Sequence, residues 1–345
     1  MRLRVIICDH SGPPSVLKVV ERPIPEPGPD EVLVEVAYAA ITFVETQVRA
    51  GLMPPRGERG SGFPLVLGNG VTGAVVQVGA GVNPAWVGEN VVTATGGSGG
   101  YAEYAVAPAE QLHRIPAGLA PREAVALLAD GRTALALARA ARFAPGDRVL
   151  VSAAAGGVGS LLVQLARAAG VRTVIGLAGG ERKLELARSL GADVAVDYRR
   201  QGWERAVWDA TNGLGVSVAF DGVGGAVGKA IVDLVAKGGR YLPHGMASGE
   251  PYEVPPDKAR DLEIVPLHSL IAGPEDMYAL VEQALKLAAE GRIKPVIGQV
   301  FPLERAAEAH AAIEARRTLG KTLLAVRSDA GTAPAGDEPI PGSSR

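Results

Sequence analysis

Residues 1 to about 124 alternate short β-branched runs with Pro and Gly breaks, as in Val32-Leu-Val-Glu-Val-Ala and Gly73-Ala-Val-Val-Gln-Val-Gly. Strand and turn signals at such close spacing predict a mainly β lobe. From about 125 the texture changes to buried strand-length runs separated by Ala/Leu-rich helical patterns. Arg148-Val-Leu-Val-Ser, Thr173-Val-Ile-Gly, Asp193-Val-Ala-Val, Ser217-Val-Ala-Phe, Gly239-Arg-Tyr-Leu and Glu263-Ile-Val predict six strands. Such a series predicts an α/β fold with a doubly wound parallel sheet. Past residue 266 the pattern predicts an amphipathic helix over Pro274 to Glu290, a strand near Val296 to Phe301, a helix over Leu303 to Arg317 and a last strand, Thr322 to Val326. This tail is expected to return to the first lobe. Residues 328–345 hold Gly, Pro, Ser and Asp with almost no core formers, which predicts a disordered tail.

The sharpest local signal is Val149-Leu-Val-Ser-Ala-Ala-Ala-Gly156-Gly157-Val158-Gly159-Ser160, a strand running into a glycine turn and then a helical pattern closed by Gly170. Gly156 lets the backbone approach a pyrophosphate, Gly159 lets the helix pack on the strand, and the free N–H groups of the helix end receive the phosphate charge. Ala154 replaces the first glycine of the pattern, so a purely structural turn is the competing reading. NAD-binding sheets carry an acid about 20 residues past this loop. Here that region is Gly176-Leu177-Ala178-Gly179-Gly180, with Glu181, Arg182 and Lys183 next. Cations without the acid predict a 2′-phosphate and therefore NADP(H). Two alternatives stand beside it: a solvated first helical turn, or Glu181 as the displaced acid.

Composition narrows the class. The chain has 345 residues with 35 Lys+Arg against 37 Asp+Glu, a net charge of −2 and no basic block. That argues against a nucleic-acid or anionic-membrane partner, and the length predicts about two domains. A single cysteine, Cys8, rules out an internal disulfide and any CxxC metal site, and favours a reducing, cytoplasmic setting. No signal peptide and no apolar run of ~20 residues is evident. Gly320-Lys321-Thr322 falls one glycine short of a P-loop and lies between a helix and a strand, the reverse of the required order. Gly96-Gly97-Ser98-Gly99-Gly100 matches a nucleophile elbow only literally and is expected to be a flexible loop.

Over residues 1–327 the sequence resembles the zinc-independent quinone oxidoreductase branch of the medium-chain dehydrogenase/reductase superfamily. The marks are Glu21-Arg-Pro-Ile-Pro-Glu-Pro-Gly-Pro-Asp-Glu-Val-Leu-Val, Gly99-Gly-Tyr-Ala-Glu-Tyr, Ala153-Ala-Ala-Gly-Gly-Val-Gly-Ser, Lys183-Leu-Glu-Leu-Ala-Arg-Ser-Leu-Gly-Ala-Asp, Asp221-Gly-Val-Gly-Gly and Thr318-Leu-Gly-Lys. The resemblance implies a GroES-like β lobe from 1–124 and 266–327, a Rossmann NADP(H)-binding domain from 125–265, and a homodimer. It puts Gly156, Gly157, Val158 and Gly159 on the pyrophosphate, and Gly176, Lys183 and Tyr198 around the adenosine phosphate, where the cation pattern also makes Arg182 a candidate. Thr133, Val223, Gly224, His244, Gly245 and Leu267 fall near the nicotinamide half. Zinc-dependent members use a Cys and a Gly-His-Glu motif, where this chain has Thr42 and Gly68-Asn69-Gly70, so no catalytic zinc is expected.

Departures from the family bear on the substrate. Thr42-Phe43-Val44-Glu45-Thr46-Gln47 replaces the usual Asn-Pro-Val-Asp/Glu-Thr-Tyr, and Met53, opening a Pro/Gly-rich segment that runs to Phe63, stands where a tyrosine is usual. Thr42, Asp130 and His244 are the candidate catalytic residues. His244 suits a general acid, with Asp130 orienting it or a substrate hydroxyl. The plainer alternative is that His244 packs beside the cofactor and Asp130 caps a helix or pairs with Arg132. The implied activity is metal-free transfer of a hydride from NADPH to a quinone or other α,β-unsaturated carbonyl, a small electrophilic substrate. An enoyl reductase or tailoring oxidoreductase of natural-product biosynthesis is the alternative within this class, and a catalytically silent NADPH-binding protein is the alternative outside it.

Overall fold

The computed structural model describes residues 2–55 and 62–327. The tail expected to be disordered, 328–345, and most of the Pro/Gly-rich segment after Met53 lie outside the described residues. Six strands form one parallel sheet in the order Val194–Asp197, Thr173–Ala178, Arg148–Val151, Val216–Asp221, Val235–Pro243, Glu263–Ile264. By chain position that is 3-2-1-4-5-6, with the direction of winding reversing between Arg148–Val151 and Val216–Asp221. Ligands of open α/β sheets bind outside the carboxyl ends of strands at such a switch point. Val149, Leu150 and Val151 are fully buried, as a strand covered by helices on both faces requires.

A second, mixed sheet runs Ile297–Pro302, Lys321–Ala325, Glu31–Ile41, Gly70–Val78, Asn90–Ala94, His113–Arg114, and Tyr104–Pro108 also pairs with Glu31–Ile41. Thr322 lies opposite Ile41 and Ala325 opposite Tyr38. The last strand therefore brings the chain back into the N-terminal lobe and sets Lys321 close to the start of the helix Phe43–Ala50. Arg2–Cys8, Leu17–Pro23 and Leu65–Val66 make a third, small sheet.

The helix Pro121–Ala141 spans the two large sheets, and position 125 lies inside it. Its Leu128 and Val125 reach Gly70 in the mixed sheet. On another face Gly131 admits the helix Pro274–Ala289, since a Cβ there would come within 2.8 Å of the Ala284 methyl. The helix expected to reach Arg317 stops at Glu314 after a 3-10 turn over Leu303–Arg305. Arg316 takes a positive φ of 55° and redirects the chain. That turn lets the Gly320 N–H donate to the Ala155 carbonyl at 2.7 Å, bridging the C-terminal segment to the glycine loop.

Candidate functional site

The strand Arg148–Val151 enters the loop at the sheet's switch point, and the helix Gly157–Ala168 leaves it with Gly156 as N-cap. Ala153 adopts φ +48° in this turn, the left-handed region where alanine costs roughly 1–2 kcal/mol. The turn aims the Ala153 carbonyl at the Gly156 N–H (2.8 Å) and beneath Gly159. A Cβ at Gly159 would run into that carbonyl, so this glycine sets the approach of helix to strand. A Cβ at Gly157 would run into the Asp130 carboxylate. Gly156 has ordinary backbone angles, and the nearest atom to a Cβ there is the Ala153 oxygen at 3.1 Å. The first N–H groups of the helix have no partners within it and supply an anion site.

At the end of the second strand the expected residues separate. Gly176 lies inside the strand, walled by the methyl groups of Ala187, Ala154 and Ala192 at 3.1–3.4 Å, and serves packing instead of facing a phosphate. Gly179 and Gly180 are the small residues past the strand's end, with the Arg199 guanidinium over them and the Tyr198 hydroxyl 3.5 Å from a Cβ position on Gly179. Glu181 pairs with Arg188 at 2.7 Å on the outer face of its helix, and Arg182 is exposed. Lys183 turns inward, its Nζ donating to the Arg316 carbonyl at 2.7 Å. Burial, then the charges of Arg316 and Arg199, lower the Lys183 pKa. Three cations from separate segments thus converge, and only Lys183 among them had been singled out. The signal for Arg316 is the Arg-Arg pair just before Thr318-Leu-Gly-Lys; Arg199 follows Tyr198 directly.

Arg199 is tied to Asp197 through Nε and Nη2 at 3.0 and 2.8 Å. Those bonds, joined by the N–H groups of Arg199 and Gly180 and opposed by desolvation, hold the Asp197 carboxyl down at about 2. A depressed carboxyl stabilises the folded state above its unfolded pKa of about 4 and loses that contribution as pH falls toward the folded value. Asp197→Asn is therefore expected to lower the urea midpoint at pH 7 by a small amount and leave it nearly unchanged close to pH about 2. Urea unfolding of both proteins across that range checks this; an equal loss at both ends would contradict it.

On the other side of the switch point, Asp221 organises the loop after its strand. Its carboxylate accepts Ser152 Oγ at 3.0 Å, Tyr241 Oη at 2.8 Å, and the N–H groups of Val223 and Gly224 at 2.9 and 3.1 Å. Its carbonyl accepts the His244 N–H at 2.8 Å. Gly224 (φ +70°) and Gly245 are held where a Cβ would press on the Glu250 and Gly222 carbonyls. Val223 is buried, while Thr133 and Leu267 are half-buried. The His244 ring faces the Leu242 carbonyl at 3.3 Å and packs on Gly222. Burial pushes its pKa down, against the Leu242 carbonyl and Asp221, which favours the neutral ring.

Asp130 meets neither His244 nor Arg132 by a direct bond; its Oδ1 takes the Lys321 ammonium at 3.0 Å, and both side chains are largely buried. Thr42 caps the helix Phe43–Ala50 in a reciprocal box, its side chain accepting the Glu45 N–H and its own N–H donating to Glu45 Oε2; the Thr42 hydroxyl also donates to Oε2 at 3.0 Å. Glu45 Oε1 accepts the Asn69 N–H at 3.0 Å. Asn69 Oδ1 in turn accepts the Gly97 N–H at 2.7 Å, and Thr95 Oγ1 donates to the Ser98 carbonyl at 2.7 Å. The Gly96–Gly100 loop, expected to be flexible, is thereby pinned: glycines that permit turns also permit close backbone bonding, and Ser98 is buried.

Two family models match the chain, one described as alcohol dehydrogenase GroES-like domain over residues 28–117 and one as zinc-binding dehydrogenase over 190–324. The probable quinone oxidoreductase of Schizosaccharomyces pombe is 35% identical over 325 residues, covering 92% of this chain and 96% of that protein. The chain belongs to the quinone oxidoreductase branch of the medium-chain dehydrogenase/reductase superfamily. Escherichia coli quinone oxidoreductase, solved in complex with NADPH, superposes with a TM-score of 0.86 at 30% identity over 93% of this chain and 99% of that one. A structure described as an NAD-dependent alcohol dehydrogenase superposes at 0.83 with 34% identity over 94% of this chain and 100% of that one. One matching description mentions zinc, but the donors in this branch member do not fit it. Thr42 Oγ1 is committed to Glu45, Asn69 Oδ1 to Gly97, and the buried Cys8 thiol to the His10 carbonyl. Among the described residues no group of three or more His, Cys, Asp or Glu is arranged to hold a metal ion.

Proposed function

We propose that this oxidoreductase uses NADPH and delivers a hydride to a quinone or another α,β-unsaturated carbonyl without a metal ion. The observation that carries the reading is a glycine-lined helix start beside the converging Lys183, Arg199 and Arg316, past a strand end with no ribose-binding acid. Gly156, Gly157, Val158 and Gly159 would hold the pyrophosphate, and Lys183, Arg316 and Tyr198 the 2′-phosphate. Thr133, Val223, Gly224, Gly245 and Leu267 would border the nicotinamide half. Once bound, the carrier supplies the hydride chemistry, and the chain's contribution is orientation, exclusion of water and proton supply. The NADPH complex of the E. coli relative supports the choice of cofactor, and the uncommitted donors missing at Thr42 and Asn69 support metal independence. A cytoplasmic homodimer completes the reading on the strength of the family resemblance.

A larger, less polar acceptor is a second reading. It is favoured by Gln47, which is turned into the protein, and by Met53, which packs on the apolar core of the N-terminal lobe. Oxidation of NADPH across a panel of quinones and enones, before and after exhaustive chelation, tests both. Turnover on at least one acceptor, unchanged by chelation, is expected. Tight NADPH binding with no turnover on any acceptor would make the chain a silent carrier-binding protein, and loss of activity on chelation would overturn metal independence.

A further inference from the structure

We propose that Glu45 stores the proton taken up by the reduced acceptor and delivers it through the Thr42 hydroxyl. The inference deepens the proposed function, rests on it for the hydride transfer, and takes Thr42, a candidate catalytic residue, as the group that faces the acceptor. A capping carboxylate at a surface helix end is solvated and ionised. Glu45 instead is 6% exposed, and among the described residues no cation comes within ion-pair distance of it. A buried carboxyl without an ionic partner keeps its proton to higher pH. Thr42 is half-buried, and its Oγ1 lies 3.0 Å from Oε2.

The charged and titratable groups facing Glu45 set its balance. Tyr101 Oη approaches Oε2 at 3.5 Å from the strand side, and on its far side contacts His310 Nε2 at 3.1 Å. Burial holds His310 down at about 3, so it is neutral and brings no positive charge. Lys321, on the last strand, is the cation whose charge acts on Glu45, and it is shared with Asp130 at 3.0 Å. Arg49, on the same helix as Glu45, is committed to Glu314. Burial therefore raises the Glu45 pKa against the Thr42 and Asn69 N–H bonds, the Thr42 hydroxyl and Lys321.

The nicotinamide carrier provides the electron pair as hydride to the acceptor carbon. With Glu45 protonated the 3.0 Å contact reverses, Oε2–H donating to Thr42 Oγ1 and freeing the Thr42 proton for the acceptor. The acceptor oxygen forms an O–H bond as the Thr42 O–H bond breaks, and Thr42 re-forms its own as the Glu45 O–H bond breaks. Glu45 is left as a carboxylate, and water entering the emptied cleft returns the proton. Glu45 acts through Thr42, so it is a positioning residue whose protonation state matters.

The test compares Glu45→Gln, Glu45→Asp and Lys321→Met in the full chain by three readouts: NADPH affinity, the pH profile of turnover, and the infrared carboxyl stretch of the protein alone. Since the protonated form is active, wild-type turnover should be full below the Glu45 pKa and fall as pH rises through it. Glu45→Gln is expected to lose roughly a hundredfold in turnover, keep NADPH affinity within a few-fold, and lose both the alkaline fall and a buried carboxyl band. Glu45→Asp should restore part of the fall. Lys321→Met removes a charge that favours the carboxylate, so the fall and the band should both move to higher pH; this arm stands even if Glu45→Gln does not fold. A carboxyl band and alkaline fall unchanged in Glu45→Gln, or no movement in Lys321→Met, would overturn the inference while leaving the proposed function intact. A wild type that turns over no acceptor would overturn the proposed function, and the band would still report whether Glu45 holds the proton.

Discussion

Gly156→Val should abolish NADPH binding in a protein that remains folded. Gly156 has φ −86° and ψ 177°, angles that any residue adopts, so substitution there brings no backbone strain. A Cβ at this position meets only the Ala153 oxygen, at 3.1 Å, and the added methyl groups would take up room at the helix N-cap, where the pyrophosphate is proposed to lie. Filling that cradle should cost at least a hundredfold in affinity, about 2.7 kcal/mol, with a melting temperature changed by only a few degrees. Gly159→Val makes the contrast, because its Cβ would run into the Ala153 carbonyl and push the helix off the strand. That variant should lose both binding and melting temperature. Fluorescence titration with NADPH beside a thermal melt reads both effects, and a Gly156→Val protein that binds NADPH within threefold of wild type would refute the cradle.

The double variant Lys183→Ala/Arg316→Ala should weaken NADPH by roughly a hundredfold or more and leave NADH nearly unchanged. Hydrogen bonds to charged groups contribute about 1.5–3 kcal/mol each, and two cations on one phosphate will not add fully. The two residues are also coupled in the protein alone, since the Lys183 ammonium donates to the Arg316 carbonyl and Arg316 Nη2 donates to the Ala247 carbonyl at 2.9 Å. Arg199 should matter less, because Asp197 already shares its charge. Titrations of the double variant with both carriers separate the outcomes: equal losses for NADPH and NADH would mean that the cations hold the loop together and do not read the phosphate.

The parallel sheet was legible because each of its strands is a short apolar run bounded by helical periodicity, a signal local to a few residues. The glycine loop was legible for the same reason, including the packing role of Gly159, where a Cβ would run into the Ala153 carbonyl. Gly176 shows a limit of reading along the chain, since distance past the loop does not say whether a residue is inside a strand or beyond its end. The partners of Asp130 and Lys183 were out of reach because they come from the last strand and the turn before it, 191 and 133 residues away. The Gly96–Gly100 loop shows the converse limit: composition suggested freedom, and the bonds that remove it come from Asn69 and Gly68 on a different segment. Glu45 was visible only as part of a family motif; its burial depends on how the mixed sheet closes over the helix Phe43–Ala50.

The proposed activity requires a phosphorylated nicotinamide carrier held by the glycine loop and read by Lys183 and Arg316. Calorimetric titration of the wild-type protein with NADPH and with NADH, at one pH and ionic strength, tests it most directly. NADPH should bind at least tenfold more tightly, about 1.4 kcal/mol, with a preference that shrinks as salt is raised. Equal or tighter binding of NADH, or no binding of either, would contradict it.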